Sequence, residues 1–284
     1  MSIIVTTEST SDLSPQLQKE YGILTVPMHV VFEDRAVEDG SIPVEEIHTY
    51  YKETGKVPTT SAVNPDEYTA FFDGIARDHP GSAILHIGYS SACSCSYQNC
   101  LLGIAGCTLA KVYPVDSLNV SGGAGNLTVI AGDLVRRHPE LPIEELVRRL
   151  EEIVPRIVTR FIPENLDYLL AGGRVSNAQA IGARILSLKP RIDILKGKLI
   201  ATHKYRGSMK KVSRRLLDDL LADEAVRKEV VYVNNARGGQ PGVLEAMLEW
   251  LREAGFATIH AAECGCVMTT HGGPGAIGLS VIRA

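Results

Sequence analysis

The sequence predicts an α/β protein in two units: an N-terminal doubly wound, mostly parallel sheet over residues 1–160 and a C-terminal α/β domain over residues 161–284. Three observations carry this. Short apolar runs alternate with longer amphipathic segments through the first half, the β-α-β-α rhythm of a parallel sheet with helices on both faces. The rhythm breaks near residue 160, where a short helix and then a hairpin follow. At 284 residues, the chain is longer than one typical domain and shorter than three. No linker composition marks the boundary, so the two halves are expected to share an extensive interface.

The elements follow in order. Residues 2–6 read as a buried first strand. Ser14-Pro15 opens a short helix, with Ser as cap and Pro in the first turn, and Gly22 ends it. Residues 24–32 read as one long strand, and 43–54 as a helix with Val44, Ile47 and Tyr51 on one face. Asn64-Pro65-Asp66-Glu67 starts another helix, with Glu three residues after the Asn cap. Residues 83–87 are a strand, 94–110 a helix and 112–115 a strand, with further helices near 123–138 and 142–158. In the second half, 166–170 is a short helix closed by Gly172-Gly173, and 177–188 is another helix. Residues 191–194 and 198–203 form a hairpin around Lys196-Gly197. A helix over 209–222, a strand over 230–233 and a helix over 242–253 around Trp250 come next. Strands at 258–263 and 278–283 finish the chain.

Composition narrows the function classes. The chain is 45% apolar and 22% charged, as in ordinary globular proteins. A net charge of −4 lacks the basic stripe of a nucleic-acid binder. No apolar run reaches the length of about 18 residues that a membrane span needs. The start, MSIIVTTEST, has no basic n-region, so the expected location is cytoplasmic and the six cysteines are expected to be thiols.

Ligands of doubly wound sheets bind beyond the carboxyl ends of the strands, which directs attention to the loops after Thr6, Ile87 and Val115. Four loops stand out. Residues 6–12 are rich in Ser and Thr, which helix capping explains as well as ligand contact does. Pro58-Thr59-Thr60-Ser61 sets hydroxyls and backbone N–H groups ahead of a helix, where they can hold an oxyanion or merely cap. Residues 88–98 run from a strand through Ser90, Ser91, Cys93, Ser94, Cys95 and Ser96 into a helix, the layout of an anion site. Gly88 and Ala92 also flank Ser90 at the spacing of a nucleophile elbow. Residues 269–275 place His271 at the head of a tight loop of three glycines and a proline, where a histidine is either structural or a ligand contact.

Other patterns point nowhere. Cys93-x-Cys95 and Cys264-x-Cys266 have a spacing too short for usual zinc ligands. Gly122-Gly123-Ala124-Gly125 opens a helix but lacks both the dinucleotide fingerprint and a phosphate-loop lysine. Neither a metal nor a cofactor is expected.

Taken together, the loops resemble the DegV family, which includes the fatty-acid-binding subunits of bacterial fatty acid kinases. Thr7-Glu8-Ser9-Thr10-Ser11-Asp12-Leu13 is similar to that family's T-D-S-T-S-D-L, and Pro58-Thr59-Thr60-Ser61 to its P-x-T-S loop. Residues 90–98 are similar to S-S-x-L-S-G-T-Y-Q, and Val115-Asp116-Ser117 with Ser121-Gly122 to the V-D-S segment. Residues 166–176 resemble L-x-Y-L-x-x-G-G-R-I-S, Lys189-Pro190 follows at the family's distance, and His271-Gly272-Gly273-Pro274-Gly275 fits H-x-G-P-G. The resemblance spans nearly the whole chain. It implies a long-chain fatty acid within and between the two domains, its carboxylate held by Thr60, Ser61, Ser94, Arg174 and His271. It further implies a separate ATP-binding kinase subunit that phosphorylates the carboxylate, so that this chain presents substrate and is not itself an enzyme. The chain departs from the family pattern at Glu8, where the family has Asp, and at Cys93, Cys95 and Ser96, where it has Leu, Gly and Thr.

The chemistry is consistent with that implication. A buried carboxylate needs hydroxyls, Arg⁺ and a histidine donor around it, and an acyl tail needs an apolar tunnel. Candidate lining is Ile23, Val26, Met28, Phe71, Ile157, Ile181, Ile185 and Leu186, each of which also reads as ordinary core. Two alternatives stand beside this reading. One is a serine hydrolase with Ser90 as nucleophile, His271 as base and Asp193 or Glu263 as the acid; no oxyanion loop precedes Ser90 to support it. The other is a lipid sensor without a kinase partner.

Overall fold

The computed structural model describes residues 2–177 and 188–284. The first half runs β1 (Ile3–Glu8), α1 (Pro15–Tyr21), β2 (Leu24–Val26), β3 (His29–Val31), β4 (Ala36–Glu38), α2 (Glu45–Thr54), β5 (Thr59–Ser61), α3 (Pro65–Asp78) and β6 (Ala83–Gly88). It continues with α4 (Ser96–Gly106), β7 (Lys111–Asp116), α5 (Gly122–Arg137) and α6 (Ile143–Ile153). The second half is β8 (Ile157–Ile162), α7 (Leu166–Gly172), β9 (Leu188–Leu195), β10 (Lys198–Arg206), α8 (Met209–Leu221) and β11 (Val230–Asn235). Then come α9 (Val243–Glu253), β12 (Thr258–Glu263), α10 (Cys266–Gly272) and β13 (Ile277–Ile282).

Strands β2-β1-β6-β7 form a four-stranded sheet that is parallel throughout. Its faces carry different cores. Val5, Leu85 and Ile87 pack with residues of α1, α5 and α6, whereas Ile84 packs with Tyr68, Phe72 and Cys100 of α3 and α4. That split follows from the period-two alternation of strand side chains and makes the unit doubly wound. The second sheet has six strands in the order β10-β9-β8-β13-β11-β12, and within it only the β11–β12 pair is parallel. Helix α5 is buried on most sides of its first turns because it lies between the two sheets, touching β1 and β6 as well as β8, β11 and β13. Among the described residues, no helix is long and apolar enough to cross a membrane.

Local chemistry explains most boundaries. Ser14 accepts the Leu17 N–H at the start of α1, and Gly22 ends that helix in the left-handed region at φ 62°. Asn64 and Glu67 form the expected capping box of α3. The hairpin pairs Lys198 with Leu195, as its sequence indicates.

Four expectations need correction. The single strand over 24–32 is two short strands in different sheets, because Pro27 lies where a continuous strand would need a backbone donor. Helix α6 stops at Ile153 rather than near 158: Pro155 lies in a 3-10 turn, and the β-branched run after it becomes β8. Residues 59–61 are a strand, not only a capping loop. Residues 269–272 belong to α10, so His271 sits in the last turn of a helix and only the residues after Gly272 make the loop. The helix expected over 177–188, with Ile181, Ile185 and Leu186, lies outside the described residues. Residue 160, the expected domain boundary, falls inside β8, a strand of the larger sheet.

Candidate functional site

Thr60, Ser61, Ser94, Arg174 and His271 all line one polar cavity of about 860 Å³, counting the open space at its mouth. Met28, Tyr89 and Val267 complete part of its wall. Each polar group arrives from a different element. Strand β5 pairs Thr60 with Val30 and Ser61 with His29, so the small β4-β3-β5 sheet presents both hydroxyls. Ser94 lies in the turn between β6 and α4, where its Oγ accepts the Ser96 N–H at 3.1 Å. Arg174 follows Gly173, which ends α7 in the left-handed region at φ 64°, a conformation that glycine adopts without strain. Its Nη1 donates to the Gly172 carbonyl at 2.7 Å. Among the described residues, no carboxylate pairs with this largely exposed arginine.

His271 is the most constrained member. Its Nε2 lies 2.8 Å from the Thr60 hydroxyl, joining the two halves of the chain. Its Nδ1 is buried and has no hydrogen-bond partner among the described residues. A Cβ at Gly172 would come within 2.4 Å of that Nδ1, so the ring rests on bare backbone at the end of α7. Burial, followed by the Arg174 charge, pushes the imidazole pKa down to about 4. The ring is therefore neutral near pH 7.

Helix α10 is held from across the molecule. Asp39 accepts the Cys266 N–H at 2.8 Å and the Val267 N–H at 3.3 Å, and Asp12 accepts the Gly265 N–H at 2.8 Å. Two carboxylates of the first half thus satisfy the open N–H groups of the helix that carries His271. Burial raises the pKa of Asp39 and lifts that of Asp12 to about 7, despite the bonds both accept.

Tyr89, Arg174 and His271 also border a second cavity, about 750 Å³ when the open space at its mouth is counted. Its walls are mostly apolar and include Val120, Phe161, Leu169, Leu199, Met268 and Leu279. Of the tunnel candidates named from sequence, Met28 lines the polar cavity only. Ile23, Val26 and Ile157 are buried in the cores, and Phe71 packs against one. Most of this apolar cavity's lining was not named from sequence because it depends on β8, α10 and the hairpin strand β10; Ile181, Ile185 and Leu186 lie outside the described residues. The available signal was the β-branched and aromatic run over 157–162, which continues past Pro155.

The loop beneath Tyr89 is built for support. Glu8 is buried; its Oε1 accepts the Tyr68 hydroxyl at 2.6 Å and its Oε2 accepts the Tyr89 N–H at 2.8 Å. Burial alone would raise its pKa, but His86 and these bonds outweigh it and hold the carboxyl below its usual range. Ser90 donates to the Gly197 carbonyl at 2.8 Å, and the Cys93 thiol reaches the same oxygen at 2.9 Å. The Ser90 hydroxyl is therefore spent on the hairpin tip rather than on His271. Both acids of the hydrolase alternative are bound to arginines, Asp193 to Arg191 at 3.0 Å and Glu263 to Arg237 at 2.6 Å. Among the described residues, no three His, Cys, Asp or Glu side chains gather as a metal site would require.

Comparison with known proteins gives a consistent picture. Residues 2–284 match the profile of a protein family described as "Uncharacterised protein, DegV family". A DegV domain-containing protein of Deinococcus radiodurans is 30% identical over 291 aligned positions, covering 99% of this chain and 98% of the relative. A protein of Thermotoga maritima described as a fatty acid-binding protein is 28% identical, covering 99% of this chain and 98% of its own length. A solved DegV family structure from Thermus thermophilus, described in terms of fatty acid binding, superposes with a TM-score of 0.88 at 26% identity and covers the whole of both chains.

Proposed function

The chain belongs to the DegV family, and from that premise we propose that it binds a long-chain fatty acid and presents the carboxylate to a separate ATP-binding kinase subunit for acyl-phosphate formation. The observation that carries this is the adjoining pair of cavities: a more polar one and a mostly apolar one that share Tyr89, Arg174 and His271 in their walls. That shape suits an amphiphile with an anionic head. Among the described lining residues Arg174 supplies the one charge, and Thr60, Ser61, Ser94 and His271 supply the hydrogen bonds. At about 0.8 kcal/mol per methylene, a tail of about fourteen carbons offers on the order of 10 kcal/mol before ordering costs. In this reading the units 1–160 and 161–284 meet at the head group, the first contributing Thr60, Ser61 and Ser94 and the second Arg174 and His271. The exposure of Ser61 and Arg174 leaves the head end within reach of a partner. The chain itself acts as a binding subunit rather than an enzyme.

The test begins with the purified protein. Gas chromatography of extracted ligand should find a long-chain acyl acid at close to one per chain. In delipidated protein, Arg174→Ala should weaken fatty acid binding by about tenfold or more. A fatty alcohol of equal length should lose far less. Equal losses for acid and alcohol would make Arg174 a fold-supporting residue, and a protein with neither extracted nor rebinding acid would refute the reading.

A further inference from the structure

The apolar cavity has a polar floor. Thr159 of β8 pairs with Ser280 of β13, and Asn234 of β11 pairs with Gly278, so these side chains share one face of the larger sheet and all border the cavity. Strand β13 leaves the His271 end at Ala276 and Ile277; at roughly 3.4 Å per residue, Gly278, the partner of Asn234, stands about 3 Å beyond Ile277 and Ser280 about 10 Å beyond it. The Thr159 and Ser280 hydroxyls lie 3.1 Å apart, and Thr159 also bonds the Asn119 side chain at 2.8 Å. Asn234 differs from them. It is 7% exposed, borders the cavity, and its side-chain amide has no hydrogen-bond partner among the described residues. A Cβ at Gly122 would come within 1.9 Å of its Oδ1, so the amide lies against bare backbone at the first turn of α5.

An unpaired amide on the wall of a lipid cavity is costly beside a methylene, which can neither donate nor accept. A hydroxyl on the chain can do both, donating to Oδ1 and accepting from Nδ2. Sites built around such groups discriminate strongly against analogues that lack the partner. Resting on the fatty-acid reading above, we infer that Asn234, with Ser280 diagonally across from it, forms a second polar subsite and selects long-chain acids that carry a hydroxyl part-way along the chain, at the level of these two residues.

The experiment is competition binding on the delipidated full-length protein. The ligands are hexadecanoic acid and its hydroxylated forms, with the hydroxyl beside the carboxylate, at mid-chain or at the terminus. A mid-chain hydroxyl should tighten binding by about tenfold over hexadecanoic acid, and more than a terminal one does. A hydroxyl beside the carboxylate should bring no gain. The gain should vanish in Asn234→Leu, which keeps the branched shape, and shrink in Ser280→Ala. If no hydroxylated form exceeds hexadecanoic acid, or if the gain survives in both variants, the inference is overturned while fatty acid binding stands. Failure of hexadecanoic acid and all its hydroxylated forms to bind would overturn the fatty-acid reading and this inference with it.

Discussion

At the scale of single residues, the proposed role of His271 predicts that binding depends on pH. The unfolded chain takes up this proton near pH 6.5 and the native protein only near 4, so the residue's contribution to stability is lost as pH falls through that window. A carboxylate placed beside Arg174 would offset the charge that helps hold the ring neutral, and the imidazole pKa would rise. Acid binding and proton uptake are then coupled. The expected outcome is that affinity for hexadecanoic acid rises as pH is lowered from 7.5 to about 6, a trend that His271→Gln flattens. Isothermal titration in buffers of different ionisation heat reads the proton directly, and a wild-type protein that takes up none on binding would contradict the coupling. The motif at residues 271–275 makes His271 visible in the sequence, but its neutral state depends on burial and on Arg174, which lies 97 positions away (271 − 174) and is contributed by another helix end.

At the scale of elements, contacts between helices set the frame beneath the site. Helices α3 and α4 cross at Gly103, where an added Cβ would come within 2.5 Å of the Tyr68 Cβ and 2.8 Å of the Pro65 carbonyl. Backbone cannot yield there as a flexible side chain would. Gly103→Ala should therefore destabilise the protein by about 1–3 kcal/mol, although alanine is the better helix former. Urea unfolding measures this, and an unchanged or higher midpoint would show that the crossing relaxes freely. The same crossing positions Tyr68, whose hydroxyl holds Glu8. The methylene by which Glu8 exceeds the family's Asp is accommodated, since its two oxygens reach Tyr68 and the Tyr89 N–H. Helix starts such as Asn64 to Glu67 were legible because a cap is a local interaction. Strand β8 was not, because a neighbouring sheet, and not its own sequence, decides between helix and strand after Pro155.

At the scale of the whole molecule, the two halves are fastened by buried carboxylates. Asp12 bonds Ser121 and the Gly265 N–H, and its pKa is raised from 3.8 to about 7 by burial. The native state therefore keeps a proton that the unfolded chain loses near pH 4. This contribution to stability is fully present below about pH 3.8 and is lost as pH rises through 7. It opposes the slope from His271. Asp12→Asn imitates the protonated form, so its melting temperature should fall less than that of the wild type between pH 6 and about 8. Parallel melting curves would mean that Asp12 does not hold a proton in the native state. Ligand should act at this scale as well: if the proposed binding holds, delipidated protein should melt at a higher temperature when hexadecanoic acid is added, because the cavities exist only in the native fold.

The sequence by itself determined the elements with local causes and the identities of the polar groups. Capped helices, the hairpin turn at Lys196-Gly197 and the alternating strands all express interactions within a few residues. The hydroxyl, arginine and histidine motifs were legible as motifs for the same reason. Only the tertiary structure decided that Thr60 bonds His271, that Ser90 is taken by Gly197, and that the apolar cavity runs along β8 and β13. It also decided that Ile23, Val26 and Ile157 are core and that Asn234 borders the cavity without a partner among the described residues. Each of these rests on contacts between segments tens to hundreds of positions apart, as with Thr60 and His271, separated by 211. Their geometry follows from sheet order and register, which local propensity does not encode.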